Sequence, residues 1–276
     1  AGIKKGFIII TDRKGNIWIA TTGGGVNVLN RADNTIKKYR YSRTDKDRHL
    51  NSDDIAALLE DREGNIWIGA WNGGVSIFNP NTEKFTHYTE DNSALNENTV
   101  YCLFEDKKGN IWMGTMGGGL NVFNKKTKAF TIYSENDGLI NGIINSITDD
   151  AKGNLWITTN RGITRFNTQT KTFRNFNLFN GIQSYEFFRN SVFKTSKGEL
   201  FFGGNEGFNV FDPANVPDNK NIPNIAITQF LLFQKPVVIG EKGSPLKQSI
   251  TETKEITLSY SQSMFSFEFT ALDFTI

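Results

Sequence analysis

Residues 106–115 read Asp-Lys-Lys-Gly-Asn-Ile-Trp-Met-Gly-Thr, and the centre of this stretch, Gly-Asn-aliphatic-Trp, occurs four times in the chain. A fifth, degenerate copy reads Gly-Glu-Leu-Phe at residues 198–201. The anchor aromatics of the five copies are separated by 49, 45, 44 and 45 residues; they are Trp18, Trp67, Trp112, Trp156 and Phe201. Self-similarity at such a steady spacing is the signature of a repeat architecture.

Each copy contains four segments with the composition of β-strands. In the third copy these are residues 99–104, 111–115, 120–123 and 130–133. Short segments rich in Gly, Asn and Asp separate them, as hairpin turns require. Four antiparallel strands in about 45 residues correspond to one blade of a β-propeller, and no sustained 3.6-residue apolar period favours a helical repeat. The sequence therefore predicts an all-β protein with five four-stranded blades.

Composition agrees with this fold and excludes several functions. The 276 residues are 38% hydrophobic, with 26 Gly and 23 Phe but only 6 Pro. A net charge of +2 makes bulk nucleic-acid binding unexpected. The single Cys102 excludes an internal disulfide, and two histidines, His49 and His87, leave little material for a metal site or histidine catalysis. We expect no metal and no cofactor, and no apolar run is long enough to span a membrane.

The repeated motifs have structural interpretations that compete with functional ones. The anchor Trp residues are expected to pack between blades, because one small sheet cannot cover both of its faces. The Asp-x-x-Gly-Asn segments lack the alternating carboxylates and final Glu of a calcium loop, so hairpin turns are favoured. The Gly runs at residues 23–25 and 117–119 precede strands and lack a following Lys-Ser/Thr, which argues against nucleotide binding.

The repeat stops after residues 211–213, and the remaining tail has a different pattern. Residues 214–223 are polar and contain Pro, as expected for a linker. Strand-like segments follow at 225–233, 255–260 and 264–272, and in the last one Phe265, Phe267 and Phe269 alternate with polar residues. That period predicts one buried and one solvent-facing side. We therefore expect partial propeller repeats over residues 1–213 and part of a β-sandwich over 214–276, in a piece cut from a longer chain.

The motif Asp-x-x-Gly-Asn-aliphatic-Trp-Ile-Gly/Ala-Thr, followed by Gly-Gly-aliphatic and Phe-x-x-Tyr, resembles the two-component regulator propeller repeat over residues 7 to about 212. Residues 223–272 resemble the opening half of the immunoglobulin-like triple-tyrosine (Y-Y-Y) domain. This order is similar to the periplasmic sensor region of hybrid two-component histidine kinase/response regulators of Bacteroidetes. The resemblance implies a seven-bladed propeller, of which five anchors are present, and membrane attachment through segments beyond this chain.

The same resemblance implies a sensor for glycan-derived oligosaccharides that signals to a cytoplasmic kinase and transcriptional regulator. The kinase itself is expected elsewhere, because His49 lies in a loop and His87 in an outer strand, where a hydrogen-bonded surface role is favoured over catalysis. The fragment is therefore not expected to be an enzyme.

Propeller geometry places the loops between second and third strands, and the connections between blades, on one face. The copies differ there, and a sugar needs an aromatic platform with planar polar groups. The candidate ligand-binding residues are Trp71, Asn72, Asn160, Arg161, Gln183, Tyr185, Glu186, Arg189, Asn205 and Glu206. The competing interpretation is that turns simply require Asn, and that Arg161 contacts a neighbouring blade.

Two other functions remain open. Propellers also host lyases and glycosidases, for which Glu186 and Glu206 are the candidate acid and base. Alternatively the chain is an interaction platform that forms a homodimer, because five blades do not close a seven-blade ring and an unfinished sandwich leaves open sheet edges.

Overall fold

The computed structural model describes residues 7–216 and 224–272, and it is built almost entirely of antiparallel β-sheet. Two compact units divide the chain, residues 1–216 and 217–276. The first unit contains five sheets in succession, each formed from consecutive strands. An all-β fold of propeller-type blades is therefore confirmed.

Four of the five blades have four strands in simple meander order. Blade 1 contains β1 (Phe7–Thr11), β2 (Ile17–Thr21), β3 (Gly25–Asn30) and β4 (Thr35–Tyr39); blade 2 contains β5 (Ile55–Glu60), β6 (Ile66–Ala70), β7 (Val75–Asn79) and β8 (Lys84–Tyr88). Blade 3 contains β9 (Val100–Glu105), β10 (Ile111–Thr115), β11 (Leu120–Asn124) and β12 (Ala129–Tyr133); blade 4 contains β13 (Ile144–Asp149), β14 (Asn154–Thr159), β15 (Gly162–Asn167) and β16 (Thr172–Phe176).

Blade 5 has three strands among the described residues, where the sequence predicted four. They are β17 (Phe187–Lys194), β18 (Leu200–Gly204) and β19 (Gly207–Phe211). After β19 the chain enters a 3-10 turn, Pro213–Asn215, which the Asp212 carboxylate caps by accepting a hydrogen bond from the amide of Ala214. Pro213 has no N–H to donate to a sheet, so the chain leaves the blade there. Residues 217–223 of the expected linker lie outside the described part.

The anchor Trp residues hold neighbouring blades together. All four are at most 3% exposed, and each packs against an aromatic residue on the third strand of the following blade. The four pairs and their centroid separations are Trp18–Phe78 (5.5 Å), Trp67–Phe123 (5.5 Å), Trp112–Phe166 (5.8 Å) and Trp156–Phe211 (4.9 Å). The prediction that this series belongs to the core is confirmed.

The repeated Asp orients the Trp six residues later. In blade 3, Asp106 Oδ2 accepts hydrogen bonds from Trp112 Nε1 (2.9 Å) and Asn110 Nδ2 (2.9 Å), while Oδ1 accepts the amide of Asn110. Gly109 makes the tight turn at φ 82°. Burial opposes ionisation of Asp106, but the hydrogen bonds from Asn110 and Trp112 outweigh it and lower the pKa of the carboxyl.

The same Asp-to-indole bond recurs in the other blades that carry an anchor Trp. The Nε1–Oδ2 distances are 2.8 Å from Trp18 to Asp12, 2.9 Å from Trp67 to Asp61 and 3.1 Å from Trp156 to Asp150. In blade 5 the anchor is Phe201, which has no N–H, and the Asp position holds Thr195. Its Oγ1 caps the turn by accepting the amide of Glu199 (3.1 Å). Asp and Trp are thus replaced together.

Long side chains after the repeated Asp link successive blades. Arg13 donates to the carbonyl oxygens of Asp61 (2.9 Å) and Arg62 (2.7 Å), and Arg62 donates to that of Lys107 (2.8 Å). Lys107 in turn donates to the carbonyl of Ala151 (3.1 Å). Ala151 has no donor in its side chain, and at the junction of blades 4 and 5 Lys194 pairs instead with Asp149 at 2.6 Å.

The junction between blades 2 and 3 carries one further ionic cluster. Lys125 Nζ lies 2.8 Å from Glu105, 3.3 Å from Asp61 and 3.3 Å from Glu63. The side chain of Lys125 is 12% exposed and that of Asp61 is fully buried. The ammonium therefore balances a carboxylate that water does not reach.

Blades 1 and 5 each present an apolar side chain at a position that is more enclosed in the middle blades. Ile36 of blade 1 is 61% exposed, whereas Phe85 at the equivalent position of blade 2 is 5% exposed. Phe208 of blade 5 is 63% exposed, whereas Ile163 at the equivalent position of blade 4 is 1% exposed. These residues lie on the two outermost blades of this chain.

The second unit is a three-stranded sheet in the order β21-β20-β22. Its strands are β20 (Asn224–Leu232), β21 (Lys235–Pro236) and β22 (Phe265–Leu272). Residues 255–260, predicted to be strand-like, form no strand. The predicted burial of one face of β22 is also wrong: Phe265, Phe267 and Phe269 are 52%, 43% and 68% exposed. Within the described residues a single sheet carries this unit, so these rings have no opposing layer. Phe230 and Leu246, at 2% and 4% exposed, are enclosed.

Candidate ligand-binding face

Two sets of loops meet at one end of the blades, which we call the loop face. The loop between second and third strands bonds to the connection that enters the next blade: the amide of Gly25 donates to Asp53 (2.8 Å), that of Gly74 to Asn98 (2.7 Å) and that of Gly119 to Gly142 (3.0 Å). The other end, which carries the Asp-x-x-Gly-Asn turns, we call the turn face. The predicted grouping of the variable loops is therefore present.

First strands of neighbouring blades lie side by side, and three of them carry a β-bulge next to the loop face. Pairing with the second strand is irregular at Ala56 in β5, Tyr101 in β9 and Asn145 in β13. In β17 the irregular stretch is longer and runs from Phe187 to Val192. Bulge residues leave the ladder, which frees their side chains to point elsewhere.

The bulge of β17 reaches two blades that are not its neighbours. Arg189 places its guanidinium 4.9 Å from the ring centroid of Trp71 and 4.7 Å from that of Tyr101. Asn190, at φ 54°, donates from Nδ2 to the carbonyl oxygens of Ala56 (3.2 Å) and Tyr101 (3.1 Å). Blades 2, 3 and 5 therefore meet across the centre of the propeller. We call Trp71, Tyr101, Arg189 and Asn190 the axial cluster.

The two rings of the axial cluster form an aromatic corner. Trp71 and Tyr101 lie 5.1 Å apart at 62°, and Tyr101 is buried while Trp71 is half-buried. Burial raises the pKa of the Tyr101 phenol, and the nearby charge of Arg189 lowers it by less. The phenol is therefore neutral, and Arg189 is held by the faces of the rings instead of by an ion pair.

Four predicted residues form a second group on blade 5. Asn205 Nδ2 donates to Glu186 Oε2 (2.7 Å), and the amide of Glu206 donates to Gln183 Oε1 (2.9 Å). Gln183 Nε2 is enclosed without a hydrogen-bond partner among the described atoms. The Glu186 carboxylate is thus already engaged by an amide, and the side chain of Glu206 is exposed.

The other predicted residues lie apart from these two groups. Asn160 Oδ1 accepts a hydrogen bond from Asn145 Nδ2 (2.8 Å), so a bulge residue orients it. Asn72, at φ 51°, bonds through its backbone amide to Thr99 Oγ1 (3.3 Å). Arg161 and Tyr185 have exposed side chains. The contacts thus join Trp71 to Arg189, and they join Gln183, Glu186, Asn205 and Glu206 in the blade 5 group. They do not join all ten predicted residues into one pocket.

Sequence reasoning missed the bulge residues, although a signal for them was present. Tyr101, Asn145 and Asn190 each lie 11 residues before the anchor aromatic of their copy, and the equivalent residue in blade 2 is Ala56. Three side-chain types among four copies at one position inside a strand indicate a site that packing does not dictate. Neither a membrane-spanning helix nor a grouping of three or more metal-binding side chains occurs in residues 7–216 and 224–272.

Comparison with known families identifies the repeat. A family model described as two component regulator propeller matches residues 49–72, 94–117 and 138–161. Each match runs from the connection entering a blade, through its first two strands, to the following loop. Three of the five repeats therefore match the two component regulator propeller model.

Two relatives agree with this match. Histidine kinase P4 of Formosa agariphila is 30% identical over 131 residues, which are 48% of this chain and 10% of the kinase. The extracellular domain of a hybrid two component system of B. thetaiotaomicron is 27% identical with a TM-score of 0.71, covering 96% of this chain and 35% of that one. The chain therefore spans about a third of that structure and a tenth of the kinase.

A more distant structure shares the fold alone. Virginiamycin B lyase from Staphylococcus aureus has a TM-score of 0.55 at 19% identity, over 79% of this chain and 72% of the lyase. Identity at this level shows that both chains build propeller blades and carries no statement about activity.

Proposed function

We propose that this chain is part of the periplasmic ligand-sensing region of a two-component sensor, and that its signal is a glycan-derived oligosaccharide. Likeness to an extracellular domain of a hybrid two component system over 96% of the chain carries the sensor role. The oligosaccharide, the periplasmic location, the downstream kinase and regulator, and membrane attachment through other segments belong to the proposal.

The axial cluster supports a ligand site on the loop face. A half-buried indole next to a guanidinium offers a flat apolar platform beside a planar donor, the pair of groups that sugar recognition uses. Arg189 also contacts two blades that its own blade does not adjoin, so a ligand that displaced it would change how blade 5 is held. Such a ligand shifts the equilibrium only if it binds the two arrangements with different affinity.

Calorimetric titration tests this site. An oligosaccharide panel is titrated against the wild-type chain, Trp71→Ala and Arg189→Ala, with Lys37→Ala on an exposed part of blade 1 as control. We expect each axial substitution to weaken binding by about tenfold or more, corresponding to at least roughly 1.4 kcal/mol. Affinity equal to wild type in both axial variants would remove the axial cluster from the ligand site.

Self-association is a second proposed property, and the exposed apolar residues of blades 1 and 5 favour it. Phe208 is exposed where its equivalents in the middle blades are buried, and Ile36 is exposed where its equivalents are buried (Phe85) or half-buried (Phe130 and Phe173). Apolar surface of this kind marks contact sites. We propose that this chain forms homodimers or higher assemblies through those blades. Light scattering over a concentration series should show a rising mass that Phe208→Asp reduces; a constant monomer mass contradicts the proposal.

A further inference from the structure

The connection between blades 1 and 2 is the longest of the four. Residues 40–54 separate β4 from β5, whereas residues 89–99, 134–143 and 177–186 make the other connections. This insertion is the reason that the first two anchor Trp residues are 49 apart while later anchors are 44 or 45 apart. Extra length in a loop carried by a rigid scaffold is typical of binding sites.

The inserted segment is folded onto the propeller. Leu50 is 1% exposed in the core between blades 1 and 2, and its amide donates to the carbonyl of Arg40 (2.8 Å). The amide of Tyr41 donates to Asp53 Oδ1 (2.8 Å). His87 Nε2 lies 2.8 Å from the carbonyl oxygen of Lys46, which can only accept, so this nitrogen carries the proton. The backbone of the segment is therefore held in a fixed position.

A cleft of about 830 Å³ opens between this segment, β8 and the loops at residues 71–74 and 89–99. That volume is within the range of small-ligand sites, roughly 300–1,000 Å³. Its lining includes the Tyr41 side chain, 44% exposed, and Arg43, whose Nε donates to the Tyr41 hydroxyl (3.3 Å).

Amide groups on the other walls of the cleft are available to a ligand. Within the described residues the Nδ2 groups of Asn72 and Asn98 donate to no protein atom, although Asn98 Oδ1 accepts the amide of Glu90 (3.0 Å), which fixes its orientation. Formal charges in the lining balance, with Arg43 and Lys46 against Asp47 and Asp91. A cleft with one exposed ring, several free donors and no excess charge suits a neutral, hydroxyl-rich ligand.

We propose that the cleft between Tyr41 and Asn98 is a second binding site on the loop face, separate from the axial cluster, for a neutral oligosaccharide. Tyr41 stacks on the sugar ring, while Arg43 and the amides of Asn72 and Asn98 donate to its hydroxyls. The ligand class rests on the proposed sensing function, but the site depends on different residues.

An array of neutral gluco-, xylo-, manno- and galacto-oligosaccharides, followed by calorimetry with the strongest binders, tests the site. Tyr41→Ala should weaken binding by about tenfold or more, and Tyr41→Phe, which keeps the ring, should stay within about threefold of wild type. Arg43→Ala, on an exposed side chain, should weaken binding by several-fold. Phe179→Ala removes an 87% exposed ring from another blade connection and should leave affinity unchanged.

The variants separate this site from the axial cluster. Binding that survives Trp71→Ala but falls in Tyr41→Ala supports the cleft. Binding that survives Tyr41→Ala and Arg43→Ala but falls in Trp71→Ala overturns the cleft and leaves the sensor function standing. Absence of saturable binding to every sugar on the array also overturns the cleft. Thermal unfolding of each variant shows whether a loss of affinity reflects a loss of fold.

Discussion

The turn face and the loop face of the propeller are built from the same strands but use sequence in opposite ways. On the turn face, four blades repeat one arrangement in which Asp accepts from an indole that packs on the next blade. On the loop face, the residue 11 positions before each anchor varies among the blades, and only blades 4 and 5 share a residue type there, Asn. The contrast indicates that cohesion between blades is concentrated at one end, which leaves the other end free to vary for binding.

The sharpest test of this division compares two Trp residues. Trp112 is 2% exposed between blades 3 and 4, so Trp112→Ala should lower the free energy of unfolding by about 3–5 kcal/mol. Trp71→Ala on the loop face removes a half-buried ring and should lower it by about 1–2 kcal/mol. Urea denaturation with comparable m values measures both. Equal losses in the two variants would contradict the division.

The junction between blades 2 and 3 offers the next test. Lys125→Met leaves the buried Asp61 carboxylate without its cation, and we expect a loss of about 3 kcal/mol. Lys37→Met breaks the 2.7 Å pair with Glu83, whose partners are 50% and 66% exposed, and should change the free energy of unfolding by about 1 kcal/mol or less. A Lys125 variant as stable as the Lys37 variant would show that this cluster adds nothing to cohesion.

A smaller effect is expected from the Asp-to-indole bond alone. Asp106→Ala leaves the buried Trp112 N–H without its acceptor and should lower the free energy of unfolding by about 1–3 kcal/mol. Combining it with Trp112→Phe should lower that free energy by less than the sum of the single effects, because Phe needs no acceptor. Blade 5 already has such a combination, because Thr195 and Phe201 stand at the positions of Asp106 and Trp112. Additive effects would mean that Asp106 acts only as a turn residue.

The smallest effect concerns pH. Burial opposes ionisation of Asp61, but hydrogen bonds from Trp67 and Asn65 and the charge of Lys125 lower its pKa below the ordinary 3.8. A lowered pKa in the folded state means that the carboxylate stabilises the fold above about pH 4 and that this stability is lost as pH falls further. In Asp61→Asn the free energy of unfolding should fall less between pH 5 and pH 3 than it does in the wild type. Chemical denaturation at several pH values measures this difference.

The sequence predicted the turn face far better than the loop face. Period and strand composition repeat in five copies and the anchor Trp in four, so each copy checks the others. Contacts of the axial cluster join residues 71, 101 and 189, whose proximity depends on how blades are arranged about the axis. Tyr101 lies inside the predicted strand 99–104, and no local pattern within a single strand distinguishes a bulge from a regular pair.

For the second unit, the sequence predicted burial that the structure does not show. Alternation of Phe and polar residues in β22 is a sound indication that one face seeks cover, but a pattern in one strand does not say whether the covering layer is present. Phe265, Phe267 and Phe269 remain exposed in the described residues. Propeller blades avoid this problem, because each copy brings the sheet that covers the previous one.

The bulge of β17 also has a mechanical meaning. Following the chain of neighbouring blades, blade 5 is connected to blade 2 through blades 4 and 3. Three interfaces lie between them, and small movements at each interface add up to a larger displacement of blade 5 relative to blade 2. Arg189 and Asn190 connect blade 5 directly to blades 2 and 3, and this direct connection restricts the movement that the three interfaces would otherwise allow. Breaking it would let blade 5 swing about its junction with blade 4 while every other interface stayed intact.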